Sequence, residues 1–251
     1  MQIPLTQEVL LLVITFIFSV VGGITGIGIA TIIIPLLLLM DVPFPVAKSL
    51  ALWINVWIMA LSVYKRFRYI KWHFALPLVI SAFLAAPVGA TLSFAVPERF
   101  QLLLLGTFVV FSGVFILFLK PVPLYAGATA AGLIRLGILV GLLAGLLGGL
   151  LGIGGGIIAN PLLIILGLDP LMVTSVSALM VFLSSLSGWA TYTAMGYFPL
   201  KFALPLAVAA FAGSFAGNKL SKKMSKELVR KVVAIFALFV GVIVYLKAIT
   251  L

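Results

Sequence analysis

Cysteine is absent from the 251 residues, which excludes disulfides, thiolate metal sites and redox relays. Charge is scarce: 8% of residues are charged, against roughly 25% in soluble globular domains. Water is therefore not the chain's main solvent. Acidic residues are scarcer still, five in all. They are Glu8, Asp41, Glu98, Asp169 and Glu227, each at or near the end of an apolar segment. A proton or metal-cation pump normally carries carboxylates at its membrane site, and none lies mid-segment here. A single histidine, His73, with no HExxH and no GxSG, leaves no constellation for hydrolysis. The chain is not expected to be an enzyme, and His73, beside a basic loop, reads as interfacial.

What is present is apolar. Hydrophobic residues make up 64% of the chain, and long apolar runs occupy 74–95, 100–119, 171–195, 202–220 and 228–246. Each is long enough to cross a hydrocarbon core of about 30 Å. The chain reads as an all-α polytopic membrane protein embedded in the lipid bilayer, with no soluble domain. Its first segment, MQIPLTQEVLLLVITFIFSVVGG, lacks a basic n-region and carries Glu8, so it reads as retained structure. The net charge of +11 resides in short loops, the footprint of membrane topology and anionic headgroups rather than of nucleic acid.

The sequence repeats itself. A shift of 126 lays GGITGIGIATIIIPLLLLM (22–40) over GGLLGIGGGIIANPLLIIL (148–166), with nine of nineteen positions identical. Ser49 then falls on Ser175 and, after a two-residue slip, FALPL at 74–78 on FALPL at 202–206 and Gly113 on Gly241. The two repeats are 1–122 and 123–251. Each holds a glycine-interrupted segment (8–40 and 133–168) followed by three ordinary spans. These are 46–64, 74–95 and 100–119 in the first repeat, and 171–195, 202–220 and 228–246 in the second.

Basic loops orient the repeats. Lys65, Arg66, Arg68 and Lys71 follow the first ordinary span of repeat one, and Lys219 to Lys231 follow the second ordinary span of repeat two. Both belong on the cytoplasmic side. They share a side only if 133–168 enters and returns as a hairpin. Its pieces, 133–147 and 157–168, would be about 22 and 18 Å long at 1.5 Å per residue, lengths that suit half-depth helices. With hairpins each repeat has an odd number of crossings, so the two repeats are inverted.

Broken backbone at membrane depth is tolerated where it lines a cavity or is buried in protein, and paired broken helices in inverted repeats are the pattern of secondary transporters. A helix that starts inside the membrane offers free N–H groups and a partial positive charge. Glycine lets a ligand approach them closely. The expected anion site is Gly152, Gly154, Gly155, Gly156 and Asn160 from repeat two, with Thr25, Gly26 and Gly28 from repeat one. Lys48, Ser49 and Asn55, and Ser175 and Ser177, sit on the spans that follow the breaks and extend the site. The plainer reading is that glycines permit close helix packing, that hydroxyls bond their own helix, and that Lys48 snorkels to the outer surface.

The motif GGLLGIGGGIIANPLLI…GLDPLMVTSVSALMV, its echo GGITGIGIATIIIPLLLLMDVPFPVAKSLA and the two compact repeats resemble the sulfite exporter TauE/SafE family. The resemblance implies transport of small sulfur-containing anions, such as sulfite or sulfoacetate, across the cytoplasmic membrane. Ile29 and Ala30 depart from the fuller motif where repeat two has Gly155 and Gly156, so repeat two is expected to be the more open cradle. No cofactor is called for, and Na+ or H+ coupling stays open. An anion channel, a carrier of a non-sulfur organic anion and a scaffold are the competing readings.

Overall fold

The computed structural model describes residues 5–25, 28–118, 129–221, 238–239, 241–246 and 248–249. Among the described residues the secondary structure is helical, with no strand. The helices are α1 (Leu5–Thr25), α2 (Ala30–Leu39), α3 (Phe44–Arg66), α4 (Trp72–Leu92), α5 (Glu98–Phe118), α6 (Ala130–Leu151), α7 (Gly156–Ile165), α8 (Pro170–Ala194) and α9 (Ala203–Ser221). Five helices among the described residues are long and apolar enough to cross a membrane. The run at 228–246 lies largely outside the described residues.

Local chemistry sets the helix starts. Thr129 accepts from Gly132 N–H at 3.3 Å to begin α6, and Asp169 accepts from Met172 N–H at 2.8 Å to begin α8, with Pro170 at the first position. Leu76, Ile80, Leu84 and Val88 of α4 and Leu139 and Leu143 of α6 are exposed. Apolar stripes of this extent are out of place in water and fit a lipid-facing surface.

The long first arm of the second break corrects one expectation. Helix α6 does not stop at 147; it runs 22 residues to Leu151, about 33 Å at 1.5 Å per residue, whereas α7 has ten residues. The reason is packing. Gly137, Gly141, Gly145 and Gly149 lie four residues apart on one face of α6, against Phe74, Leu78, Ala82 and Ala86 of α4. A Cβ on Gly145 would stand 2.6 Å from the Ala82 Cα, and one on Gly149 2.8 Å from the Ala86 carbonyl carbon. Backbone-to-backbone packing at this range offsets the helix penalty of glycine, about 1 kcal/mol each.

Residue numbers rise together along both helices, so α4 and α6 are parallel. The same pattern joins α1 to α9: Gly213 lies against Phe16 and Ser19, and Gly217 against Val20. By contrast α3 and α8 run antiparallel, with Ser49 at Tyr197, Trp53 at Trp189, and Asn55 and Ser185 both at Gly154. Helix α5 is antiparallel to 241–246, with Gly106 at Val244 and Val110 at Gly241.

Candidate functional site

Gly152 ends α6 with φ 77°, and Gly154 (φ 71°) and Gly155 (φ 78°) turn the chain into α7. Three left-handed residues in four are a conformation that glycine adopts without steric cost. The turn folds back on α6, since a Cβ on Gly148 would stand 2.5 Å from Gly155 N. Gly152 to Gly156 are all buried.

Carbonyls around the turn are engaged. Ile153 O accepts from Asn55 Nδ2 at 3.3 Å, Gly154 O from Ser184 Oγ at 2.9 Å, and Gly155 O from the Ile158 and Ala159 amides at 3.1 and 3.0 Å. Donors are not. Among the described residues no partner meets the N–H of Gly155 or of Gly156. Three buried side-chain oxygens nearby also lack partners: Ser185 Oγ, Ser177 Oγ and Asn160 Oδ1. Ser185 Oγ occupies the space that a Gly154 Cβ would need. Val181 fills the space beside Gly156, and Ser177 and Asn160 lie one turn further along their helices.

The first break is described in part. Gly26 lies outside the described residues, and Thr25 is described only as the backbone end of α1. Gly28 packs on Asn55, where a Cβ would stand 2.8 Å from Nδ2. Asn55 is fully buried. Its Oδ1 accepts from Ile29 N–H at 3.0 Å while its Nδ2 donates to Ile153 O. One amide therefore ties the first break to the second.

Lys48 does not snorkel. It is 1% exposed, its stem lies on the turn 2.6 Å from where a Gly152 Cβ would be, and its ammonium donates to Gln101 Oε1. The serines divide. Ser49 Oγ lies 2.9 Å from Val46 O and 2.8 Å from Tyr197 O, and Ser175 Oγ donates to Leu171 O at 2.6 Å, so both hydroxyls are engaged away from the turn. Trp53 stacks on Trp189 with ring centroids 4.5 Å apart and donates to Ala203 O at 2.7 Å, a packing role.

Sequence reasoning missed Gln101, Ser93 and Tyr192. Tyr192 O–H reaches Ser93 Oγ (2.9 Å) and Gly149 O (3.0 Å). The signal for Gln101 was there: it is the one amide in the apolar run 100–119. Of the acids, Glu8 pairs with Lys201, Asp169 caps α8, Asp41 is exposed and Glu98 opens α5; Glu227 lies outside the described residues. The turn thus presents N–H and O–H donors at a helix N-terminus, an arrangement suited to the oxygens of an anion.

A family model described as sulfite exporter TauE/SafE matches residues 11–244, nearly the whole chain. Comparison with curated proteins and with solved structures finds no match.

Proposed function

The chain belongs to the sulfite exporter TauE/SafE family of membrane transporters, and on that footing we propose that it is a secondary carrier for a small oxyanion, sulfite or an organosulfonate such as sulfoacetate, in the cytoplasmic membrane. One observation carries the reading: two buried, unpartnered amides at Gly155 and Gly156 open a ten-residue helix beside the unpartnered hydroxyl of Ser185. An oxyanion accepts from all three, and the α7 dipole adds to the attraction without a charged side chain. Asn160 and Ser177 extend the site one turn on. Gly28 and Asn55 form its opposite wall from repeat one.

On this reading the repeats are inverted. Antiparallel packing of α3 on α8, which are counterparts in the two repeats, supports it, as does the antiparallel packing of α5 on 241–246. The parallel pairs α4–α6 and α1–α9 are each other's images under exchange of the repeats. The second hairpin then returns to the side it entered, and both basic loops face the cytoplasm.

The moving bodies are not the sequence repeats themselves. Glycine-to-backbone contacts bind α4 to α6 and α9 to α1 too closely for sliding. Helix α8 joins the first pair through Ser187 Oγ to Phe83 O at 3.0 Å, and α3 joins the second through Trp53 to Ala203 O. Each body takes helices from both repeats, and they meet at α3–α8, beside the site. Rocking about that contact exposes the anion to one side and then the other.

Proteoliposomes preloaded with sulfite test the function. A carrier gives saturable uptake stimulated by counter-substrate, and imposed Na+ or H+ gradients report coupling. Single-channel currents, or no flux of any small oxyanion, overturn it.

A further inference from the structure

The body of α1, α3 and α9 is fastened to its surroundings through the first half of α3. The Lys48 ammonium donates to Gln101 Oε1, Ser49 Oγ reaches Tyr197 O at 2.8 Å, and Trp53 stacks on Trp189. With Lys65 to Lys71 on the cytoplasmic side, this end of α3 is the outer one. The Lys48 bond joins the two bodies. Gln101 is tied to the end of α4, since its Nε2 donates to Ser93 O at 2.7 Å and Val96 O at 2.8 Å, which leaves Oε1 for the lysine. Tyr192 closes the same space. Its ring lies 5.9 Å from the ammonium, and its O–H reaches Ser93 Oγ and Gly149 O. The Lys48 stem rests on Gly152, where the turn begins. Lys48 and its partners therefore stand between the turn and the outer face.

A second partner waits one turn away. Glu98 precedes Gln101 by three residues on α5, on the same helix face, and its charge acts on the Lys48 ammonium without an ion pair between them among the described residues. Glu98 is half-buried and Gln101 buried, so the carboxylate lies nearer the outer surface. A buried ammonium is costly to leave without a partner. When the bodies part at the outer end, Lys48 leaves Gln101 and has Glu98 to receive it. We propose that Lys48 is the moving part of an outer gate, bonded to Gln101 when the site is closed to the outside, as here, and paired with Glu98 when it is open. This deepens the carrier reading and rests on it; the anion itself stays at the Gly155–Gly156 turn.

Because the chain has no cysteine, one introduced thiol reports the gate. Leu52 is fully buried one turn inward of Lys48. Leu52→Cys is expressed as the full chain in intact cells, and a membrane-impermeant cationic methanethiosulfonate is added outside. Glu98→Gln removes the open partner and should slow labelling. Gln101→Leu removes the closed partner and should speed it. Each shift should be about tenfold, the effect of one charge-assisted hydrogen bond on an equilibrium. Loosened packing alone would speed labelling in both. Ser185→Cys, a closer match in size, repeats the measurement with a second thiol, and thermal unfolding checks that each protein is folded.

Opposite shifts in the two variants support the gate. Labelling that moves the same way in both, or that either variant leaves unchanged, overturns it and leaves the carrier standing. A wild-type chain that moves no small oxyanion in proteoliposomes overturns the carrier reading, and this inference with it.

Discussion

Ser185→Ala separates a binding group from a packing group, because the two roles predict opposite signs. Ser185 is fully buried and its hydroxyl has no partner. A buried polar group without a hydrogen bond costs about 1–3 kcal/mol. Removing the oxygen should therefore leave stability unchanged or raise it by roughly 1 kcal/mol. The anion loses a donor at the same time. A hydrogen bond to a charged group contributes about 1.5–3 kcal/mol, so affinity for sulfite should fall about 10- to 150-fold.

Ser184→Ala is the contrasting neighbour. Its Oγ donates to Gly154 O at 2.9 Å, so its loss strands a buried carbonyl and should lower stability by about 1 kcal/mol. Equilibrium unfolding in detergent and sulfite titration by calorimetry read the two quantities separately. A Ser185→Ala protein that is less stable than wild type and binds sulfite equally well would refute the site.

Two further substitutions probe the frame around the turn. Asn55→Leu removes both ties between the breaks and leaves the Ile29 N–H and the Ile153 carbonyl unpaired; a loss of about 2–4 kcal/mol is expected, and unfolding at the wild-type temperature would show that the brace contributes nothing. Gly155→Val forces a β-branched residue to φ 78° and sets its Cβ against the Ala144 carbonyl, so sulfite flux should vanish while circular dichroism keeps the helical signal; wild-type flux would count against the turn.

Hydropathy alone carried the all-helical membrane character, because five long apolar helices need no knowledge of their neighbours. The glycines were harder to divide. Gly145 and Gly155 look alike in sequence, yet one packs a straight helix on α4 and the other turns the chain. Only the partner helix decides, which is why α6 came out longer than its propensity. The burial of Lys48 was not legible for a similar reason. Snorkelling is the default for a lysine near a helix end, and its acceptor, Gln101, stands 53 residues away. Asn55 was legible as polar, but not as a bridge, since its two partners lie 26 and 98 residues off in opposite directions.

The two breaks differ at one decisive place, and the difference can be reversed. In repeat one the amide of Ile29 is capped by Asn55 Oδ1 at 3.0 Å. In repeat two the matching amide, Gly155, has no partner, and the position that matches Asn55 is Val181, whose methyls face Gly154 and Gly156 and cannot accept. A single side chain thus caps the Ile29 amide in one break, and its absence leaves the matching Gly155 amide free in the other. Val181→Asn should restore the symmetry, because an amide oxygen set beside Gly154 and Gly156 can take the N–H groups that the anion needs. The change is close in volume, and the new Oδ1 meets donors already buried, which offsets the burial of the new Nδ2, so stability should stay within about 1 kcal/mol of wild type. Sulfite binding should fall at least tenfold, measured by calorimetry on the same preparation used for unfolding. A folded Val181→Asn protein that binds sulfite as wild type does would show that the Gly155–Gly156 amides are not where the anion sits.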